Sequence, residues 1–324
     1  MGHDLRFLVR ADQEPPAVDR LREHFRSRRW YTDEGDQFSY ASDDTGVYFS
    51  FDAGGIDAGE PSDTIDDGLV PTCLSFNINY FRPHVFGLEA AHELAAVCDR
   101  FSLLVDDPQL DGMGRGAFTR ERFLAGWNAG NLFGHRSLLS SGHDGHVPIG
   151  HAEGAYSLPA ATLERAWRWN YDRQQTQESF GDVFVPKIAF VQQGGAARTF
   201  VVWGDAIPVA LPDVDLLLMV RDELAPRRLF RRKRDVCLVA MADAEPVLRH
   251  GRRVVGPPAH TVFDRVHLRA VEFFRSRAPW TAPLDGLSQD QVLTRELLRE
   301  AEQAVGRRDP ADEGIPRPPD TKPS

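Results

Sequence analysis

Apolar and polar positions alternate over residues 5–10, which predicts a strand, because successive strand side chains point to opposite faces. Val18, Leu21 and Phe25 recur at helical spacing and predict an amphipathic helix over residues 15–29. Strands are predicted at 37–40, 47–52 and 73–81. In the second of these Val47, Phe49 and Phe51 share one face, and Tyr48, Ser50 and Asp52 the other. A helix over 88–100 leads into an apolar strand at 101–105, closed by Asp106-Asp107-Pro108. This β-α-β-β-β-α-β order predicts a mostly antiparallel sheet with helices on one face.

The pattern changes near residue 111. Gly112, Gly114 and Gly116 precede Thr119, a candidate cap for a helix carrying Phe123, Leu124 and Trp127. After Leu139 comes a run of Gly, Ser, His and Asp with the composition of a loop. A second set of elements opens with a helix from Pro159, a residue suited to the first helical turn. Strands are predicted at 183–191, 198–203, 214–220 and 236–241, and helices at 261–275 and 288–305. Ser288 and Gln291 stand at capping-box spacing before the last helix. The expected fold is therefore α+β and two-lobed, with mostly antiparallel sheets and helices packed on one face. Its parts are an N-terminal lobe over 1–110, a Gly/His-rich helical connection over 111–156 and a C-terminal lobe over 157–307. Residues 308–324 are Pro-rich, poor in bulky apolar side chains, and expected as a disordered tail.

A chain of 324 residues, 42% of them apolar, is long enough for one large core or two smaller ones. No apolar run approaches membrane-spanning length and the first residues do not read as a secretory leader, so a cytoplasmic protein without membrane association is expected. Cys73, Cys98 and Cys237 are far apart, odd in number and set among apolar residues, and they read as buried thiols. Only three of the thirty-eight cationic residues are lysines, Lys187, Lys233 and Lys322. None follows a phosphate-binding glycine loop, which excludes an ordinary P-loop or kinase-type site.

The charge distribution changes the picture most. Residues 30–81 hold eleven acids and no Lys or Arg: Asp33, Glu34, Asp36, Asp43, Asp44, Asp52, Asp57, Glu60, Asp63, Asp66 and Asp67. Neighbouring like charges repel, and a one-sign surface attracts and selects an oppositely charged partner. These acids, from Asp33 to Asp67, are the candidate recognition surface for a basic protein partner. The opposite pole is Arg227, Arg228, Arg231, Arg232, Lys233 and Arg234, which read as a basic hairpin tip and a weak anion-binding candidate. One short basic run on a chain of net charge -10 does not make a nucleic-acid-binding domain.

His135, His143, Asp144, His146 and His151 form a second, chemically different cluster, with Glu153 nearby. Imidazole and carboxylate suit a divalent transition metal such as zinc, iron or manganese, although the spacing matches no established pattern. His92-Glu93 begins like a zincin helix, but position 96 is Ala, so these read as ordinary helix residues. Asp205, Asp213 and Asp215 stand beside turns and become acid/base candidates only where the fold brings them together. The preferred expectation is a non-catalytic macromolecule-binding protein of inhibitor, immunity or adaptor type, with no cofactor. The alternative is a metal-dependent hydrolase built on the histidine cluster.

Overall fold

The computed structural model describes residues 2–54, 68–109, 112–141, 156–228, 231–256 and 258–306. Its N-terminal sheet has seven strands: β1 (Gly2–Arg10), β2 (Tyr31–Asp33), β3 (Gln37–Ala41), β4 (Tyr48–Asp52), β5 (Leu69–Asn79), β6 (Leu104–Asp106) and β7 (Arg115–Ala117). They lie in the order β2-β3-β4-β5-β1-β6-β7, and every neighbouring pair is antiparallel. The helices are α1 (Val18–Arg26), α2 (Val85–Phe101), α3 (Arg120–Ser141), α4 (Ala160–Tyr171), α5 (Arg173–Phe180), α6 (Met241–Leu248), α7 (Leu268–Ser276) and α8 (Arg295–Gly306).

Register explains how the N-terminal sheet is covered. Leu5 pairs with Phe76, Phe76 with Phe51, and Phe51 with Phe38, so one row of bulky side chains crosses four strands on one face. Phe25 of α1 packs on that row, with ring centroids 4.6 Å from Phe38 and 4.9 Å from Phe51. Phe123 of α3 reaches it at Phe76, at 6.2 Å. Aromatic side chains bury large areas at low entropic cost, so this row decides which face the helices occupy. Gly87 lets α2 lie close against α3: a Cβ there would stand 2.5 Å from the Trp127 ring.

The second group of strands comprises β8 (Tyr156–Leu158), β9 (Ala189–Gln193), β10 (Ala196–Gly204), β11 (Val209–Pro212), β12 (Leu216–Arg221), β13 (Arg227–Arg228), β14 (Arg231–Arg232), β15 (Asp235–Ala240), β16 (Arg252–Val254), β17 (His260–Phe263), β18 (Asp285–Leu287) and β19 (Val292–Thr294). A five-stranded sheet runs β15-β12-β10-β9-β18 and a three-stranded sheet β11-β17-β16. Only the β10/β12 and β8/β19 pairs are parallel among the described residues. The fold is α+β with mostly antiparallel sheets. One buried apolar cluster runs through both groups of strands. The returning segment ties them further: β19 pairs with β8, His84 meets Thr294, and Arg136 of α3 meets Glu300 of α8 at 3.6 Å.

Several predicted elements shift for identifiable reasons. The strand expected at 101–105 starts later, because α2 runs through Phe101 and ends on Ser102 in the left-handed conformation. The strand expected from 183 starts at Ala189, after Pro186 interrupts the ladder. The helix expected over 261–275 divides. His260–Phe263 is a strand buried between β11 and β16, and the helix waits until His267, whose side chain accepts from the Arg269 amide. Ser288 and Gln291 do form a capping box, but it closes a 3₁₀ turn over Gln289–Gln291 ahead of β19. Thr119 does not cap α3 through its hydroxyl, which is buried without a partner. Pro159 is the residue before α4 and not part of its first turn. The expected tail and the centre of the Gly/His-rich connection lie outside the described residues.

No helix among the described residues is long and apolar enough to cross a membrane. If the aromatic row organises the N-terminal sheet, Phe51→Ala should cost about 3–5 kcal/mol, the usual penalty for emptying a buried phenylalanine site. Urea unfolding monitored by circular dichroism measures this, and a loss below about 1 kcal/mol would show that the row is not central.

Candidate functional site

The most unusual packing in the molecule is on α2, where two carboxylates one turn apart face inward. Glu89 is fully buried and Glu93 is 8% exposed. An unpaired buried carboxylate is very costly, so each must collect donors from the surrounding chain. Glu89 accepts the Tyr40 hydroxyl at 2.7 Å and the Thr45 hydroxyl at 2.9 Å on one oxygen. The Trp167 indole N–H donates to the other at 2.7 Å. Burial still pushes the Glu89 carboxyl up to about 7, with the three donors pulling it back and Glu93 adding to the rise. Glu93 takes a two-pronged bond from Arg28, 2.7 Å on each arm, and the Tyr31 hydroxyl at 3.1 Å. The Arg28 guanidinium is raised above its ordinary value, chiefly by that bond.

Glu93 and Arg28 lie in the wall of a pocket of about 400 Å³. One side is the tight turn from Ser27 to Trp30, between α1 and β2; the other is made by Ser42, Asp44 and Tyr171. Trp30 has φ of 72°, a region that bulky residues rarely occupy. It is held there by its carbonyl, which accepts the Ala41 amide at 2.9 Å. The Arg29 guanidinium lies 4.0 Å above the Trp30 ring and 3.3 Å from Asp44. Asp44 is 4% exposed and also accepts two N–H groups from Arg173 of α5. Tyr171, half exposed, stacks against His92 and Trp167. The pocket is lined by rings, guanidinium groups and carboxylates that are already bonded.

Comparison of the chain with family models, curated proteins and solved structures returns no match.

The structure divides the predicted acidic surface. Arginines from elsewhere in the chain neutralise two of its members: Arg22 and Arg26 of α1 reach Asp33 at 3.3 and 2.7 Å, and Arg29 and Arg173 reach Asp44. Asp44 is also buried and is no part of an exposed face. Glu34 and Asp36 are exposed and form no ion pair among the described residues; Asp43 is exposed too, but the Lys187 ammonium donates to its backbone carbonyl at 2.5 Å and interacts with its carboxylate. Asp52 is half-buried and accepts the Gly54 amide at 2.7 Å. Asp57, Glu60, Asp63, Asp66 and Asp67 lie outside the described residues.

Of the histidine cluster, His143, Asp144, His146 and His151 also lie outside the described residues. His135 sits on α3, 1% exposed, edge-on to Phe81, with neither ring nitrogen bonded. Burial pushes its imidazole down to about 4. No group of three potential metal-ligating side chains occurs among the described residues. The basic run does form a hairpin: Arg227 pairs with Arg232 and Arg228 with Arg231, while Lys233 and Arg234 lie beside Trp280. The fully buried cation of this region is Arg221, forked onto Asp235 at 2.7 and 2.8 Å.

Asp205, Asp213 and Asp215 are each engaged locally. Asp205 accepts the amides of residues 222–224, Asp213 pairs with Arg253, and Asp215 bonds Thr199. Burial pushes the Cys98 thiol up to about 12 and raises Cys73 and Cys237, in line with unreactive thiols; Cys73 is only half-buried.

Two measurements check these environments. A carboxyl raised from 4.5 to about 7 in the fold favours the folded state at low pH, and that contribution disappears as pH rises through 7. Urea unfolding of the native protein should therefore lose on the order of 3 kcal/mol, relative to Glu89→Gln, between pH 4.5 and 7.5. A difference that does not change with pH would refute the assignment. His135→Leu removes a buried polar ring without partners and should raise stability by about 1–2 kcal/mol. Lower stability, together with stoichiometric metal in the purified native protein, would show instead that His135 is a ligand.

Proposed function

We propose that this is a non-catalytic protein that binds a macromolecular partner, with the pocket between the Ser27–Trp30 turn and Tyr171 at the centre of its contact surface. One observation carries this reading. Both carboxylates that line the pocket, Asp44 and Glu93, have every oxygen already accepting from the chain's own donors. A carboxylate clamped by guanidinium groups is restrained in place and has its charge largely answered, which suits it to fixing geometry more than to attacking a substrate. What faces the opening is a half-exposed tyrosine and an arginine stacked on a strained tryptophan. Aromatic and arginine side chains are the types that dominate binding hot spots.

A second reading is supported by Glu34 and Asp36, exposed and without an ion pair among the described residues, and by the exposed Asp43 beside Lys187, which together present negative charge to a basic partner. The two readings place the interface on different residues. In recovery of a partner from native lysate, Arg29→Glu should reduce the yield by about tenfold, while joint Glu34→Gln, Asp36→Asn and Asp43→Asn should leave it unchanged. The reverse pattern moves the interface to the acidic turns. Recovery indifferent to both sets of substitutions overturns the binding proposal.

A further inference from the structure

We infer that the pocket is an oxyanion site that receives a carboxylate or phosphate group carried on a larger molecule. This inference rests on the binding proposal above and names the chemistry of the guest.

The balance of donors and acceptors decides the sign. On the acceptor side, Arg28 and Tyr31 occupy Glu93, and Arg29 and Arg173 occupy Asp44. On the donor side, each guanidinium has five N–H groups in a fixed fork, and these arginines use only part of that capacity. Arg28 bonds through Nε and Nη2, leaving Nη1 without a hydrogen bond among the described residues. Arg29 uses Nη2 alone, in a long contact, leaving Nε and Nη1. Arg173 leaves Nη1. Each of the two carboxylates accepts three bonds and so keeps only about one open lone-pair site, while Arg28 and Arg29 keep several open N–H groups, so a guest entering here meets more spare donors than spare carboxylate acceptors. Such a site favours a group with several acceptor oxygens, and a carboxylate or phosphate matches the guanidinium fork in both charge and geometry.

Charge does not oppose this count. Two guanidinium groups, of Arg28 and Arg29, line the pocket with two carboxylates, so the formal charges balance and the open donor positions set the preference; Glu89 lies behind the wall, bonded to Tyr40. The volume of about 400 Å³ exceeds that of a bare oxyanion, so the guest has a body as well as a head. Trp30 and Tyr171 offer that body two aromatic surfaces. The positive φ at Trp30 fits the same role. Backbone strain of this kind persists where the surrounding structure enforces it, and here it places the Arg29 fork at the rim.

Arg29 is the residue to change, since it is half exposed and Asp44 keeps Arg173 when it is removed. Calorimetric titration at fixed ionic strength would use inorganic phosphate, glutarate and, as a cationic probe, 1,5-diaminopentane. We expect phosphate or glutarate to bind the native protein, Arg29→Ala to weaken that binding by about tenfold or more, and Arg29→Lys to recover part of it. Binding of phosphate alone identifies a phosphorylated guest; binding of glutarate identifies a carboxylate guest. The inference is overturned if neither anion binds, if Arg29→Ala binds as tightly as the native protein, or if only the diamine binds. Partner recovery lost in Arg29→Glu without anion binding would retire the oxyanion and keep the binding proposal. Anion binding with recovery unchanged would do the opposite.

Discussion

Placing two carboxylates on the inward side of one helix is the constraint around which the rest of the site is arranged. Glu89 and Glu93 are stable in the fold only because donors converge on them from β3, from the loop after it, from the α1–β2 turn and from α4. Each donor fixes the position of the element that carries it. Tyr40 and Thr45 hold the β3–β4 connection, Arg28 holds the turn after α1, and Trp167 brings α4 against α2. Removing one donor would leave a buried charge short of a partner, at a cost larger than the net worth of the bond itself. The network therefore specifies a geometry more than it adds stability.

That geometry depends on the N-terminal sheet. The row from Leu5 through Phe76 and Phe51 to Phe38 provides the apolar floor on which α1 lies, and Phe25 fixes α1 along it. With α1 placed, Arg22 and Arg26 reach Asp33, and the chain leaves the helix at Ser27 to make the turn carrying Arg28, Arg29 and Trp30. Helix α5 then brings Arg173 to Asp44 from far along the chain. The pocket is the space left where these pieces meet. Its charges are internally balanced to a large extent, so its selectivity comes from which hydrogen-bonding positions remain open.

Much of the N-terminal half is legible from alternation alone. Strands β1, β3, β4 and β5 fall close to their predicted spans, because a strand with one buried face must alternate. The pattern is less informative where two structures bury the same residues. Val262 stands at helical spacing with Val266, Ala270 and Phe273, yet it belongs to a strand, because β11 and β16 on either side offer hydrogen bonds. Among the site residues, the charge pattern points only to Asp44, and to an exposed role that its burial excludes. Glu89 and Glu93 do leave a trace: they sit four apart within the apolar stripe of α2, between Phe86, Ala90 and Val97. A carboxylate in such a stripe is either misplaced or paired, and the sequence does not name the partner.

By itself, then, the sequence determined the class of fold, the covered face of the first sheet, the burial of Cys98 and Cys237 though not of Cys73, and the concentration of acid in residues 30–81. Those features rest on local periodicity and composition, which the chain carries at every position. Only the tertiary structure decided which acids stay exposed and which are answered by arginines up to 129 positions away, as Asp44 is by Arg173. Electrostatic compensation depends on distance in space, and sequence separation does not report it.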